Sequence, residues 1–147
     1  MFENCCDDER SAVSVLAVSP SNDDHITLRG ILSRPTWNLL EARTCEEVPR
    51  VIQENRTAVV ICERDLPDGS WKDILDQMTP PHSQPLLIVV SPRPDNRFWA
   101  EVLNLGAHDV IAKPFDAAEV LAVVKAACRR WACALTESRS APTSSEP

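Results

Sequence analysis

The chain is 147 residues long, 44% of them apolar, with a formal net charge of −7. That suffices for one domain with a real core, and the acidic balance argues against a nonspecific nucleic-acid binder, which carries a basic face. No apolar run approaches the roughly 18 residues of a membrane span, and the start has no signal-peptide core, so no membrane partner and a cytoplasmic location are expected.

Residues 1–11, with CCDDER in their middle, are polar and acidic and are expected to form a flexible leader. Val13 to Val18 is the first strand. It closes at Ser19-Pro20-Ser21-Asn22, which is loop and helix-cap chemistry. Asp23 and Asp24 suit the first turn of the next helix, where carboxylates meet the positive end of the dipole. Ile26, Leu28, Ile31 and Leu32 form its apolar side, and Gly30 weakens it by about 1 kcal/mol relative to alanine. Trp37 to Ala42 is a second strand whose mixed polarity suggests a more exposed place in the sheet. Thr44 with Glu47 has capping-box spacing, but Pro49 removes an intrahelical donor, so the helix is expected to start at Pro49 and to bury Val51 and Ile52.

Ala58 to Cys62 is a continuous apolar run with the length of a strand buried on both faces. Glu63, Arg64 and Asp65 follow at once, and Leu66-Pro67-Asp68-Gly69 turns the chain. Asp-Gly is also a hairpin signal; no alternating apolar strand follows, so a hairpin is discounted. Ser70 to Met78 reads as a helix with Trp71, Ile74, Leu75 and Met78 on one face, stopped by Pro80-Pro81. Leu86 to Val90 is a fourth strand, ended by Ser91-Pro92-Arg93-Pro94. Asn96 to Leu105 is a helix closed by Gly106, and Asp109 to Ala112 is a short fifth strand before Lys113-Pro114-Phe115. Asp116 caps the last helix, with Glu119 at N3; that helix runs through Val120, Leu121, Val123, Val124, Ala127, Cys128 and Trp131 to about Leu135. Residues 137–147 are Ser/Pro-rich and are expected to be a disordered tail or truncated linker, leaving one domain at residues 12–136.

Strand and helix thus alternate five times, the pattern of an α/β, doubly wound, five-stranded parallel sheet with helices on both faces. Ser19, Glu63, Ser91 and Lys113 then all fall at the carboxyl edge, where open α/β sheets place their sites. The six cysteines form no CxxC pair, and the three histidines are scattered and read as loop or helix-surface residues, so no metal centre is expected.

With these residues the sequence resembles the receiver domain of two-component response regulators, the CheY-like family, over roughly Val13 to Leu135. The resemblance rests on ERDLPDG after the third strand, on Ser91 and on LGAHDVIAKPF. It implies the flavodoxin-like (βα)5 strand order 2-1-3-4-5. Pro67 and Gly69 keep the family spacing and put Glu63 in the position of the phosphoacceptor aspartate. Lys113 matches the family lysine, whose following peptide is usually cis, and Ser91 matches the Ser/Thr that contacts the phosphoryl group. Asp65 falls where the family offers a backbone carbonyl to the metal. The metal-binding acidic pair falls on Ser19 and Pro20, the switch aromatic falls on Val110 with no tyrosine anywhere in the chain, and Pro92 stands where a small residue is usual. The resemblance is therefore to a degenerate, or pseudo-receiver, domain.

The chemistry agrees. Phosphoryl acceptance needs aligned attack and cations around the transferred group, and magnesium is usually bound through one or two carboxylates. Glu63 has one methylene more than aspartate, which moves its carboxylate by about 1 Å. Ser19 and Pro20 bring no charge. Asp23 and Asp24 are expected to be solvated caps, the alternative being a reach into the site. No cofactor is expected beyond weak magnesium binding. Lys113 is expected to pair with Glu63, the alternative being a lysine that snorkels to water.

The expected function is a non-catalytic signalling module acting through protein contacts, not phosphorylated at the usual position. The alternative is a phosphorylatable receiver in a two-component phosphorelay using an atypical acidic site. A small flavodoxin-like enzyme fits poorly, since no Gly-rich phosphate loop follows the first strand and no Ser-His-Asp or Cys-His order is present. Expected partners are a histidine kinase or a downstream signalling protein, and a second copy docking through the last two helices and fifth strand at Trp99, Val102, Ala118, Leu121 and Lys125.

Overall fold

The computed structural model describes residues 13–78 and 85–140, with side chains as far as residue 134. The acidic leader, Pro80-Pro81 and residues 141–147 lie outside the described residues. Five strands form one parallel sheet: β1 (Val13–Val18), β2 (Trp37–Ala42), β3 (Thr57–Glu63), β4 (Leu86–Ser91) and β5 (Asp109–Ala112). Their order is β2-β1-β3-β4-β5, as the alternation of elements and the resemblance imply. The helices are α1 (Asn22–Leu32), α2 (Val48–Glu54), α3 (Trp71–Gln77), α4 (Asn96–Asn104) and α5 (Ala117–Ser140).

Alternation along the strands builds two cores. Val13, Val15 and Ala17 face α1 and α5, meeting Leu28, Leu32, Val120, Val124 and Trp131. Leu16 and Val18 point the other way, toward α2, α3 and α4, where Val48, Trp71, Ile74 and Val102 close the second core. The central strands are buried on both faces, which is why Ala58 to Cys62 and Leu86 to Val90 read as unbroken apolar runs and Val13 to Val18 is broken only by Ser14. β2 sits at the sheet edge, its middle residues partly exposed.

The local chemistry follows expectation at most ends. Ser21 accepts from the Asp24 N–H at 3.4 Å at the start of α1. Asp116 accepts from the Glu119 N–H at 2.9 Å at the start of α5. Gly106, with φ +111°, ends the turn after α4 in a backbone region that disfavours side chains. A full capping box of Ser70 with Asp73 opens α3.

Several expectations are corrected. The hairpin discounted at Asp68-Gly69 exists in miniature, as an antiparallel ribbon pairing Asp65–Leu66 with Gly69–Ser70. Asp68, at its turn, holds the neighbouring loop by accepting from the Cys45 and Glu46 N–H groups at 2.8 and 3.1 Å. Thr44 makes no side-chain cap; Glu47 accepts instead from the Arg43 N–H at 3.0 Å. A short 3-10 turn at Cys45–Glu47 precedes α2, so Pro49 lies in the first turn, where its missing donor costs nothing. Ile26 is 59% exposed, whereas Asp24 and His25 are buried. The last helix continues through Ser140, past the expected end near Leu135 and into the segment read as tail. No helix among the described residues is long and apolar enough to cross a membrane.

Candidate functional site

Parallel register brings the strand ends to one level. Val18 lies beside Cys62, Glu63 beside Val90, and Ser91 beside Ala112, so Ser19, Glu63, Ser91 and Lys113 emerge together. The Lys113–Pro114 peptide is cis, and the Lys113 N–H donates to Ser91 O at 3.1 Å.

From β5, the Lys113 side chain crosses the end of β4. Its Nζ lies 2.7 Å from Glu63 Oε1 and 2.7 Å from Asp24 Oδ2. Asp24 Oδ2 also accepts from Ser19 Oγ at 2.7 Å. The Asp24 contact is a well-directed hydrogen bond; the Glu63 contact is an ion pair made off the hydrogen-bond axis, so Oε1 is buried without a directed donor. The three side chains are 11%, 15% and 24% exposed for Asp24, Glu63 and Lys113. One ammonium thus serves two carboxylates. Burial pushes the Glu63 carboxyl above its ordinary 4.5; Lys113 opposes that rise and the like charge of Asp24 reinforces it. Burial alone would lower Lys113, but its bonds to Asp24 and Glu63 prevail and hold the ammonium above its ordinary 10.5.

Asp24 is the residue that sequence reasoning placed wrongly, as a solvated cap. It is at once in the first turn of α1 and on its inward stripe, one and two turns before Leu28 and Leu32. That i, i+4, i+8 alignment was the available signal. His25 was also missed. It is 2% exposed, and its Nε2 donates to Ser19 O at 2.8 Å, pinning the end of β1 from behind. Arg43 straps the same loop from outside, reaching Pro20 O at 3.5 Å and Asn22 Oδ1. Pro20 itself is exposed.

The remaining positions separate. Ser91 is 1% exposed, and its Oγ has no hydrogen-bond partner among the described residues. The Asp65 side chain is 76% exposed and pairs outward with Arg64 Nε at 3.2 Å, away from the cluster. Val110 is fully buried beside Val89, so no side chain at that position can swing between core and solvent. Val102, expected on a docking face, is likewise fully buried because α4 turns it onto the sheet. His108 is partly buried and His82 lies outside the described residues. Burial pushes the Cys45 thiol up to about 11 and raises that of Cys62 as well, so both stay protonated at neutral pH.

The cavity between Ser19, Asp24, Glu63 and Phe115 has a volume of about 10 Å³, the lower limit for one water. Magnesium keeps several waters and demands octahedral oxygens. The residues present do not fit it, because the Lys113 ammonium already lies against both carboxylates. Among the described residues no group of three or more His, Cys, Asp or Glu is placed to hold a metal.

Fold and site together define a doubly wound (βα)5 domain with a charge cluster at the carboxyl ends of its strands. The chain belongs to the response regulator receiver domain family, whose model matches residues 7–125. It is 32% identical over 124 residues to the transcriptional regulatory protein KdpE of Mycobacterium tuberculosis, covering 84% of this chain and 49% of that protein. It is 27% identical over 116 residues to the transcriptional regulatory protein SrrA of Staphylococcus aureus, covering 79% and 48%. The chain therefore spans about half the length of the curated relatives it matches. Among solved structures, the signal receiver domain of a LuxO-type repressor protein from Vibrio parahaemolyticus superposes with a TM-score of 0.77 at 20% identity, over 87% of this chain and 97% of that one. The beryllofluoride-activated NtrC4 receiver domain dimer gives 0.73 at 22%, over 80% and 98%. These two likenesses concern the fold.

Proposed function

We propose that this chain is a pseudo-receiver: a non-catalytic signalling module that acts through protein contacts and is not phosphorylated at the usual position. The observation that supports this reading is Lys113 seated between Asp24 and Glu63. Glu63 stands in the acceptor position, and its carboxylate and that of Asp24 are both already engaged by the one ammonium. A carboxylate carries less charge and fewer oxygens than a phosphate, so the cluster holds one conformation rather than imitating a fully phosphorylated one. The receiver-like unit begins at residue 12 and runs through α5; its partners are a histidine kinase or a downstream signalling protein.

Acetyl phosphate with magnesium is expected to leave the intact mass of the protein unchanged. A stoichiometric gain of one phosphoryl group, lost on Asp65→Ala, would establish an atypical acceptor and displace this reading. Glu63→Asp alone is also expected to remain unlabelled, because Ser19 and Pro20 still bring no carboxylate to the metal side; rapid labelling of that variant would show the metal deficit to be immaterial.

A second copy is proposed to dock through α4, β5 and α5. Val102 is removed from the expected face by its burial, which leaves Trp99, Ala118, Leu121 and Lys125, with Leu103 and Leu105 exposed at 45% and 50% near the end of α4. The NtrC4 receiver is described as a dimer. Sedimentation across a concentration series is expected to show a rising average mass, and a concentration-independent monomer would remove the second copy from the proposal.

A further inference from the structure

The amino edge of the sheet, opposite the charge cluster, carries two tryptophans with an arginine over each. Trp37 opens β2, and the Arg34 guanidinium lies 6.0 Å from its ring centroid. Trp131 reaches the same core from α5, and the Arg56 guanidinium lies 5.1 Å from its centroid. Both rings are buried and both arginines are exposed. β1 begins between them: Val13 is the register partner of Trp37, and the Ser14 N–H donates to Arg56 O at 2.7 Å. Neither guanidinium is paired with a carboxylate among the described residues. Two carboxylates share this edge without neutralising it. Asp109 accepts from the Val110 N–H at 2.8 Å, and Glu54 makes no ion pair among the described residues.

We propose that this edge is the docking surface of the chain's own acidic leader, with Arg34 and Arg56 holding its carboxylates. Residues 1–12 contain Glu3, Asp7, Asp8 and Glu9 against the single Arg10. The leader joins the fold at Val13, so it enters between the two arginines. Asp7, Asp8 and Glu9 precede Val13 by four to six residues. That is about 13–20 Å of extended chain, enough to turn back over the edge to either guanidinium. Each ring already holds its arginine, so less side-chain entropy is lost when a carboxylate arrives. The tether keeps the leader at an effective concentration on the order of mM, which a free acidic peptide has to exceed. The proposal stands apart from the reading of the charge cluster, which lies at the other edge.

The indole N–H resonances of the full chain provide the test. Trp37 and Trp131 Nε1 have no hydrogen-bond partner among the described residues, so their signals report what lies near them. Trp71 and Trp99, at the starts of α3 and α4 on the other edge, are internal controls. Combining Asp7→Asn, Asp8→Asn and Glu9→Gln is expected to shift the Trp37 and Trp131 signals and leave the other two in place. Raising salt from about 0.05 to about 1 M shortens the screening length to about 3 Å. It is expected to move the native Trp37 and Trp131 signals toward those of the neutralised leader, and to leave the neutralised variant unmoved. Arg34→Gln with Arg56→Gln is expected to abolish that salt response. The salt titration of the native protein requires no variant to fold. Identical signals in native and neutralised proteins, equal movement of all four indoles, or the same salt response in every variant would overturn the docking. A shift that grows with protein concentration would assign the edge to the leader of a second copy and overturn docking within one chain.

Discussion

Replacing Lys113 by methionine is expected to cost about 2–3 kcal/mol at neutral pH, between the 0.2–1 of an exposed ion pair and the 3–5 of a buried one. The position within that range follows from the partners, which are 11% and 15% exposed and lose their shared cation together. Glu63→Gln alone is expected to change stability by less than about 1 kcal/mol, since it leaves Asp24 and Lys113 matched one to one. Adding Glu63→Gln to Lys113→Met is expected to recover about 1 kcal/mol or more, because one of the two stranded carboxylates is removed. Urea unfolding of the four proteins forms a double-mutant cycle. Additivity within about 0.3 kcal/mol would show that Glu63 and Lys113 are not energetically coupled.

The same pair predicts a pH signature. Glu63 has a folded pKa raised above 4.5, so the folded state holds its proton longer and stability falls as pH rises from 4.5 through the folded value. Without Lys113 that rise is larger, and the decline with pH is steeper. Lys113 has a folded pKa above 10.5, so its contribution is complete below 10.5 and is lost as pH rises through the folded value. The gap between the native protein and Lys113→Met should therefore narrow toward pH 4.5 as Glu63 takes up its proton, with the Asp24 bond to Lys113 keeping it open, widen toward neutrality and close again above 10.5. A gap constant from acid to neutral pH would mean that Glu63 takes no part in the stabilisation by Lys113.

The strands were legible because their signal needs no partner. Ala58 to Cys62 and Leu86 to Val90 are apolar throughout, and burial on both faces is the only arrangement that satisfies such runs in a sheet. Lys113 and Glu63 were also legible, since both stand at carboxyl ends of strands and carry opposite charge. The first helix was misread for a physical reason. Hydrophobicity assigned Ile26 to the core, yet the helix turns Asp24 and His25 inward and leaves Ile26 in water. The bonds to Ser19 and Lys113 make that orientation favourable, and Lys113 lies 89 residues away from Asp24. The Arg64 guanidinium over the Phe98 ring was hidden similarly, because the third residue of α4 gives no sign in sequence of what rests on it. The Asp68-Gly69 ribbon escaped because it holds only two residues on each side and serves to cap the Cys45 loop, not to extend a sheet.

Asp23 and Asp24, equivalent by composition and by place in the first turn, are expected to differ sharply when removed. Asp23 is exposed, and Asp23→Ala should fall within about 0.5 kcal/mol of the native protein, as surface substitutions do. Asp24 is 8% exposed and accepts two bonds on one oxygen, from Ser19 Oγ and Lys113 Nζ. Asp24→Ala leaves the buried Ser19 hydroxyl without its acceptor, a loss of about 1–3 kcal/mol. Lys113 keeps Glu63, so the ammonium is not stranded and the full cost of breaking a buried pair does not apply. We expect a total of about 2–3 kcal/mol by urea unfolding, the upper part of the hydroxyl range. Asp24→Ala should also lower the Glu63 pKa, because a like charge that raises it has gone. The direction can be followed at the Glu63 side-chain carbonyl carbon by NMR titration. Equal small costs for the two aspartates, with an unchanged Glu63 titration, would return Asp24 to the role of a solvated cap and leave Lys113 with one partner.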